Sequence, residues 1–382
     1  MIWDAIIAGA GPAGLATAIW ARRFGLSVCV VERRQPTPMD KACGEGLMPS
    51  GVAALRALGV DPDALRHVPV RGIRYIQGTT VAEGSFSRPG LGIRRTELAE
   101  ALRAEARAAG IAMKFGAGVS DHTVHDAGVV SVQAGRDTLR TRWLVGADGL
   151  HSPIRKRAGL NLQPRGPRRF GVRQHFACPP RSERVEVYWA DAAEAYVTPV
   201  GPDEIGVAIL GRGNQMRFDA LLARFPQLQS RLAGARATSS ARGAGPFRQR
   251  ARRRVGDGVA LVGDAAGYLD ALTGEGVSLA LQSAEALAAA LAAQRIERYE
   301  HDYRRLTRTY MLLTEALVQL AALPKLRRRI VRALAQHPDA FDAFLQVLGE
   351  DASPLTLVRS STCRLLGSAA LAGGMRMQRP AG

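Results

Sequence analysis

Three short clusters of glycine and acidic residues carry the chemistry open to this sequence. The first is Gly9-Ala10-Gly11-Pro12-Ala13-Gly14, with Glu32 following 18 residues after Gly14 and Arg33 beside it. Glycine at the first position lets the chain turn tightly. At the second it lets backbone approach a pyrophosphate, and at the third it lets a helix pack closely on a strand. The helix opening there offers unpaired N–H groups and a partial positive charge to phosphate. The Glu32 carboxylate can accept hydrogen bonds from an adenosine ribose. The pattern points to a bound dinucleotide.

The second cluster is Val145-Gly146-Ala147-Asp148-Gly149-Leu150-His151-Ser152-Pro153-Ile154-Arg155. The third is Ala260-Leu261-Val262-Gly263-Asp264-Ala265-Ala266-Gly267, followed by Leu272-Thr273-Gly274-Glu275-Gly276 and a long Ala/Leu segment. Each is a strand ending in an aspartate and a turn, which is common alone. Their order and spacing after the first cluster make the set specific.

Rigid elements must hold these clusters. Ala5–Ala8 is an apolar run that reads as a strand, Leu15 to Phe24 has helical periodicity, and Ser27 to Val31 reads as a second strand ending at Glu32. A loop through Lys41-Ala42-Cys43-Gly44-Glu45-Gly46 precedes a short helix near Ser50 to Leu58. Residues 70–92 suggest two strands around Gly78 and Gly84. Thr96 to Ala109 reads as an amphipathic helix with Thr96 as N-cap and Gly110 as its stop. Between 166 and 248 apolar and polar residues alternate, as in Val185-Glu186-Val187-Tyr188-Trp189, which marks an antiparallel sheet. Helices are expected at Gly276 to Ala293 and over 297–349, the latter broken at Pro324 and Pro338, and the tail beyond Pro354 has weak periodicity.

Composition narrows the function classes. The 382 residues include 52 Lys+Arg against 34 Asp+Glu, a formal net charge of +18, so an anionic partner is attractive. Aromatics at 5% and the lack of zinc-finger or RNA-recognition spacing argue against nucleic acid. Cys29, Cys43, Cys178 and Cys363 are widely spaced with no C-x-x-C pair, which fits a reducing cytosol better than a disulfide or metal framework. Asp4 interrupts the first apolar run, and Gln282 and Glu285 interrupt the most apolar helix, so a soluble cytoplasmic protein is expected. The segment Lys325-Leu326-Arg327-Arg328-Arg329-Ile330-Val331-Arg332 is either a solvated helix face or a dock for an acidic carrier protein or anionic membrane surface.

On Gly9/Gly11/Gly14/Glu32, the Asp148-Gly149 turn and the Gly263-Asp264 turn, the chain resembles the flavoprotein superfamily of aromatic hydroxylases (p-hydroxybenzoate hydroxylase-like), flavin halogenases and geranylgeranyl reductases. That resemblance spans roughly residues 4–295. It implies FAD and an α/β fold: a Rossmann-type three-layer FAD-binding (glutathione-reductase-like) domain, an antiparallel-sheet substrate domain and C-terminal helices. It assigns residues 1–70, 92–160 and 250–295 to the FAD lobe, 71–91 and 161–249 to the substrate lobe, and 296–382 to a helical region. It also implies that Asp264 contacts the flavin ribitol and that Gly274, Glu275 and Gly276 aim a helix N-terminus at the flavin pyrimidine edge. Asp148 and Gly149 would serve both FAD and a nicotinamide cofactor, and Arg95 would touch FAD. Cys43 and Gly44 lie in the loop that reaches the flavin in relatives, so Cys43 is a candidate acid or a pocket-lining residue.

Within the superfamily, Lys41–Pro49 and Leu272–Gly276 look most like the geranylgeranyl-reductase-type branch. The halogenase Trp-x-Trp-x-x-Pro motif is missing, and Tyr196-Val197-Thr198-Pro199 matches the reductase substrate motif only in part, lacking its tryptophan. No second glycine fingerprint follows, so NAD(P)H would visit the flavin transiently. The favoured expectation is an NAD(P)H-dependent monooxygenase, hydroxylase-like, acting on a small apolar or aromatic metabolite of secondary metabolism. The alternative is flavin-dependent reduction of a carbon–carbon double bond. His151 and His175 have no spacing that marks catalysis.

Overall fold

The parallel sheet grows outward from the opening strand. Ile2–Ala8 pairs in parallel with Val28–Glu32 on one side and with Asp137–Gly146 on the other. Ala112–Phe115 and Val259–Leu261 extend it, again in parallel. Val28–Glu32 is buried at every position, as expected of a parallel strand covered on both faces. Helices Pro12–Arg23, Arg95–Ala108 and Gly276–Ala292 cover one face through Leu15, Ile19, Leu98, Leu102, Leu281 and Leu287. On the other face, Ile6, Ala8, Cys29 and Val31 pack with Val130 and Val132 of the antiparallel hairpin Val119–Val124/Val130–Ala134. The computed structural model describes residues 1–349 except 38, 127, 165, 167 and 214–216, so Cys363 and the tail beyond Pro354 lie outside the described residues.

Register does the positioning. Ala8 lies opposite Val31 and Gly146, and Gly146 lies opposite Leu261. The three motif turns therefore emerge side by side at the carboxyl ends of adjacent parallel strands, where open α/β sheets bind their ligands.

A second eight-stranded sheet runs in the order 242–244, 169–177, 204–212, 193–201, 184–190, 67–77, 80–93, 46–47. All its pairings are antiparallel except that of Arg184–Ala190 with His67–Gln77. Its hairpin of His67–Gln77 and Thr80–Ile93 extends a few residues beyond the expected 71–91. Gly46–Leu47, at the end of the Lys41–Gly46 loop, forms its edge strand, so a segment of the first lobe is built into the second.

The C-terminal helices are Glu297–Ala321, Pro324–Gln336 and Pro338–Leu348, each break falling at a proline, which lacks the N–H that would continue the preceding helix. Phe341 and Leu345 pack on the second sheet at Gly84, where a Cβ would sit 2.7 Å from the Phe341 ring. No described helix is long and apolar enough to cross a membrane.

One local expectation is corrected. Thr96 does not cap its helix, which begins at Arg95 with no side-chain cap from the N-cap residue. The Glu45 carboxylate instead accepts the Arg95 N–H at 2.8 Å, so a residue 50 positions away satisfies a donor that local sequence leaves open.

Gly14 is the tightest point of helix-on-strand packing, because a Cβ there would lie 1.9 Å from the Gly9 carbonyl oxygen. Backbone at Gly9 is held at φ 115° and has little room to give. Gly14→Ala is therefore expected to lower unfolding free energy by about 1–3 kcal/mol, read from the urea midpoint at unchanged slope.

Candidate functional site

The three turns open onto one continuous cavity of about 430 Å³. Of the residues singled out from sequence, Gly9, Gly11, Pro12, Ala13, Glu32, Arg33, Cys43, Gly44, Arg95, Asp148, Gly149, Asp264, Gly274 and Gly276 all line it. Gly14, Gly263 and Glu275 do not line it. Gly14 packs against Gly9, and Gly263 (φ 60°) brings the third turn within 2.6 Å of the Ala13 Cβ as measured from its own ideal Cβ. Glu275 is buried at the N-cap of Gly276–Ala292.

The groove has the features a dinucleotide needs. A Cβ built at Gly11, Gly44 or Gly274 meets nothing within 4 Å, so backbone at these positions faces open space. Glu32 is fixed by two backbone donors, Ala10 N–H to Oε2 at 2.8 Å and Arg34 N–H to Oε1 at 3.0 Å. Arg95 Nη1 and Asp148 Oδ1 are buried polar atoms without hydrogen-bond partners among the described residues. Burial pushes the Asp148 carboxyl up, against the lowering effect of its hydrogen bonds with Ser152 and the Ile154 N–H. Groups of this kind fit a ligand carrying phosphates and hydroxyls.

Arg155 binds the second and third turns together. Its side chain is fully buried. Nη2 donates to Leu150 O at 3.0 Å and Gln249 Oε1 at 3.1 Å, and Nη1 donates to Ala265 O at 2.9 Å and Asp264 O at 3.4 Å. Nε donates to Asn161 Oδ1 at 3.0 Å. Burial pulls its pKa down while the nearby Asp148 and Asp264 charges oppose that shift. Arg155 closes the second cluster in sequence but has no role assigned there, because its partners are mostly backbone carbonyls, which carry no motif.

A second network fixes the Lys41–Gly46 loop. Glu45, at φ 58°, bonds through Oε2 to His175 Nε2, while Ser239 Oγ lies 2.7 Å from His175 Nδ1. Arg173 bonds to Asp40 and donates to Lys41 O at 3.0 Å, and Thr198 Oγ1 donates to Gly44 O at 2.7 Å. Lys41 Nζ reaches Asp264 Oδ2 at 3.5 Å. His175 thus orients the loop and lies outside the cavity wall, and His151 bonds to Gly245 O near the surface. Cys43 sits half-buried on the wall, its Sγ accepting the Glu45 N–H at 3.4 Å. Burial pushes its thiol pKa up, so it stays protonated at neutral pH.

Beyond the groove the cavity becomes apolar. Strand alternation sends one face of the second sheet into it, and a single cross-strand row runs Tyr75–Val187–Tyr196–Ala208–Arg173 from an aromatic end to a cationic one. Trp189, Leu210, Phe247, Leu317 and Leu348 complete the chamber. An indole is therefore present, supplied by the strand next to Tyr196. The Tyr196 hydroxyl and Trp189 Nε1 have no hydrogen-bond partner among the described residues. Behind this wall Arg169 bridges Glu194 and Asp270, and burial raises the Glu194 carboxyl to about 7.

Two outcomes follow from the buried charges. Arg155→Met leaves several buried carbonyls unsatisfied and is expected to cost about 2–5 kcal/mol in urea unfolding. For Glu194 the folded pKa, about 7, lies above the usual value of 4.5, so its contribution to stability is full below about pH 4.5 and is lost as pH rises toward 7. Glu194→Gln should therefore be more favourable relative to wild type at pH 8 than at pH 5, measured by paired urea titrations.

A family model described as FAD binding domain matches residues 3–304. The chain is 30% identical over 305 residues to menaquinone reductase of Mycobacterium tuberculosis, covering 73% of this chain and 74% of that protein. It is 26% identical over 333 residues to digeranylgeranylglycerophospholipid reductase 2 of Methanosphaera stadtmanae, covering 82% and 83%. A flavoprotein/dehydrogenase from Cytophaga hutchinsonii shares the fold, with TM-score 0.83 and 20% identity over 98% of this chain and 99% of that one. The glycine turn, the two aspartate turns and the family match agree: the chain belongs to the FAD-binding-domain family of flavoprotein oxidoreductases, and FAD is its cofactor.

Proposed function

We propose that this protein is a flavin-dependent reductase of a carbon–carbon double bond in an extended, largely apolar substrate, with NAD(P)H as the transient reductant. The observation that carries this reading is the continuity of the FAD groove with an apolar chamber, with the Cys43 thiol on the wall of that cavity. The two relatives above are by name a menaquinone reductase and a digeranylgeranylglycerophospholipid reductase, which supports reduction over oxygenation.

In this reading the glycine turn and the N-terminus of Pro12–Arg23 hold the pyrophosphate of FAD, and Glu32 holds the adenosine ribose. Asp264 meets the ribitol, and Arg95, Asp148, Gly149, Gly274 and Gly276 complete the groove. Bound and first reduced by NAD(P)H, the flavin would supply a hydride to one carbon of the double bond. Cys43 holds a proton at Sγ for the other carbon, and solvent replaces that proton afterwards. Val185, Val187, Leu210 and Phe247 give the chamber an apolar lining that disfavours water. The Tyr196 hydroxyl and Trp189 N–H orient a carbonyl or hydroxyl at the polar end of the substrate.

A second reading, oxygenation by an NAD(P)H-dependent monooxygenase, draws on the same apolar chamber, because oxygen transfer also requires the exclusion of water. Anaerobic turnover separates the two. The reductase reading expects product two hydrogens heavier than substrate under argon, and no label from ¹⁸O₂ in air; label in the product would reject it. Cys43→Ala should lower kcat by roughly 10²-fold or more with little change in KM, while flavin content stays that of wild type.

A further inference from the structure

The outer face of the Glu297–Ala321/Pro324–Gln336 helical hairpin is unusual in two ways at once. Large apolar side chains stand in solvent there: Leu312 is 63% exposed, Leu323 52%, Met311 42% and Leu326 39%. Leu312, Ala316, Leu320 and Leu323 recur at helical spacing, with Leu320 half-buried and the others exposed, so they form one stripe along that face. Cations flank the stripe. Arg304, Arg305 and Arg308 precede it, and Lys325, Arg328, Arg329 and Arg332 are exposed on the next helix.

Residues 297–336 carry nine Lys+Arg against four Asp+Glu. Among the described residues, Lys325, Arg328, Arg329 and Arg332 have no carboxylate within ion-pair distance. Arg327 differs from its neighbours. It is buried, with its guanidinium 5.4 Å from the Trp189 ring centroid and Nη1 donating to Ala321 O at 2.9 Å. That side chain anchors the hairpin onto the chamber wall and is unavailable for docking.

The position of the stripe matters as much as its composition. Leu317, beside Ala316 but turned inward, lines the apolar chamber, and Thr314, Val318 and Ala321 are buried on the same side. One helix therefore has the chamber on its inner face and exposed leucines on its outer face.

We propose that this hairpin face docks on the surface of a bilayer containing anionic phospholipid, with Leu312, Leu323 and Leu326 entering the headgroup–acyl boundary and Lys325, Arg328, Arg329 and Arg332 pairing with lipid phosphates. Apolar insertion together with cationic flanks is the combination an interfacial helix uses. An acidic protein partner would satisfy the cations but leaves unexplained why bulky leucines stand among them. The docking does not depend on which bond the flavin chemistry changes.

The test is co-sedimentation of the full-length, FAD-loaded protein with vesicles of phosphatidylcholine alone or of phosphatidylcholine and phosphatidylglycerol in equal parts. Binding is expected only with phosphatidylglycerol, weakening as salt rises. Combined Arg328→Gln, Arg329→Gln and Arg332→Gln should weaken partitioning on the order of a hundredfold. Combined Leu312→Ser, Leu323→Ser and Leu326→Ser, which keeps every charge, should weaken it about tenfold or more. All these side chains are exposed, and retained flavin absorbance with an unchanged melting temperature verifies folding. Equal binding to both vesicle types, or none to either, overturns the proposal. Loss with the arginine set but wild-type binding by the leucine set also overturns it and assigns the face to an acidic protein.

Discussion

The buried guanidinium of Arg155 is the interaction on which the rest of the site depends. Two turns lying 115 residues apart in sequence, at Gly149 and Asp264, have no direct pairing of their own beyond adjacent strand ends. Arg155 supplies it by donating to carbonyls of both turns at once. A desolvated cation is costly unless every donor is satisfied, and here the carbonyls do that while Asp148 and Asp264 supply opposite charge. With these turns locked, the Asp264 carboxylate and the N-terminus of Gly276–Ala292 keep a fixed relation to the glycine turn. A rigid groove spends little of its binding free energy on ordering itself.

The second constraint is the join between the lobes. The Lys41–Gly46 loop belongs to the FAD lobe by sequence, yet Glu45, Gly44 and Asp40 are held by His175, Thr198 and Arg173 of the other lobe's sheet. Glu45 also caps the helix that presents Arg95. One carboxylate thus links the Arg95 helix, the Cys43 loop and the second sheet. The sheet itself grades the chamber from cationic to aromatic along one cross-strand row, so polarity in the pocket follows from register: side chains alternate faces with period two, and opposite residues stand together.

The same helices serve two surfaces. Tyr299 donates to Leu261 O at 2.9 Å and Tyr310 to Asp270 O at 3.0 Å, tying Glu297–Ala321 to the strand and loop on either side of the Gly263-Asp264 turn. Leu317 closes the chamber. The basic segment read from sequence as one unit is divided by its helical geometry: Arg327 and Val331 turn inward, while Arg328, Arg329 and Arg332 stay in solvent.

Much of this protein was legible in its residues, because glycine geometry, apolar periodicity and proline breaks act locally. Gly9, Gly11 and Glu32 announced a dinucleotide, and Pro324 and Pro338 marked helix boundaries, since each rests on sterics or hydrogen bonding within a few residues. Cys43 and Arg95 were reached through resemblance and do line the cavity. The roles of Arg155, Glu45, His175, Arg173 and Thr198 were hidden because their partners are backbone atoms or side chains that lie, in the longest-range cases, 110 to 154 positions away. The Thr96 cap failed because the helix starts earlier, at Arg95, whose N–H is taken by a carboxylate 50 positions away. Sequence alone determined that the chain turns around a dinucleotide. Only tertiary structure decided which residues hold those turns together, because that choice lies in long-range satisfaction of buried polar groups, for which neighbouring residues carry no signal.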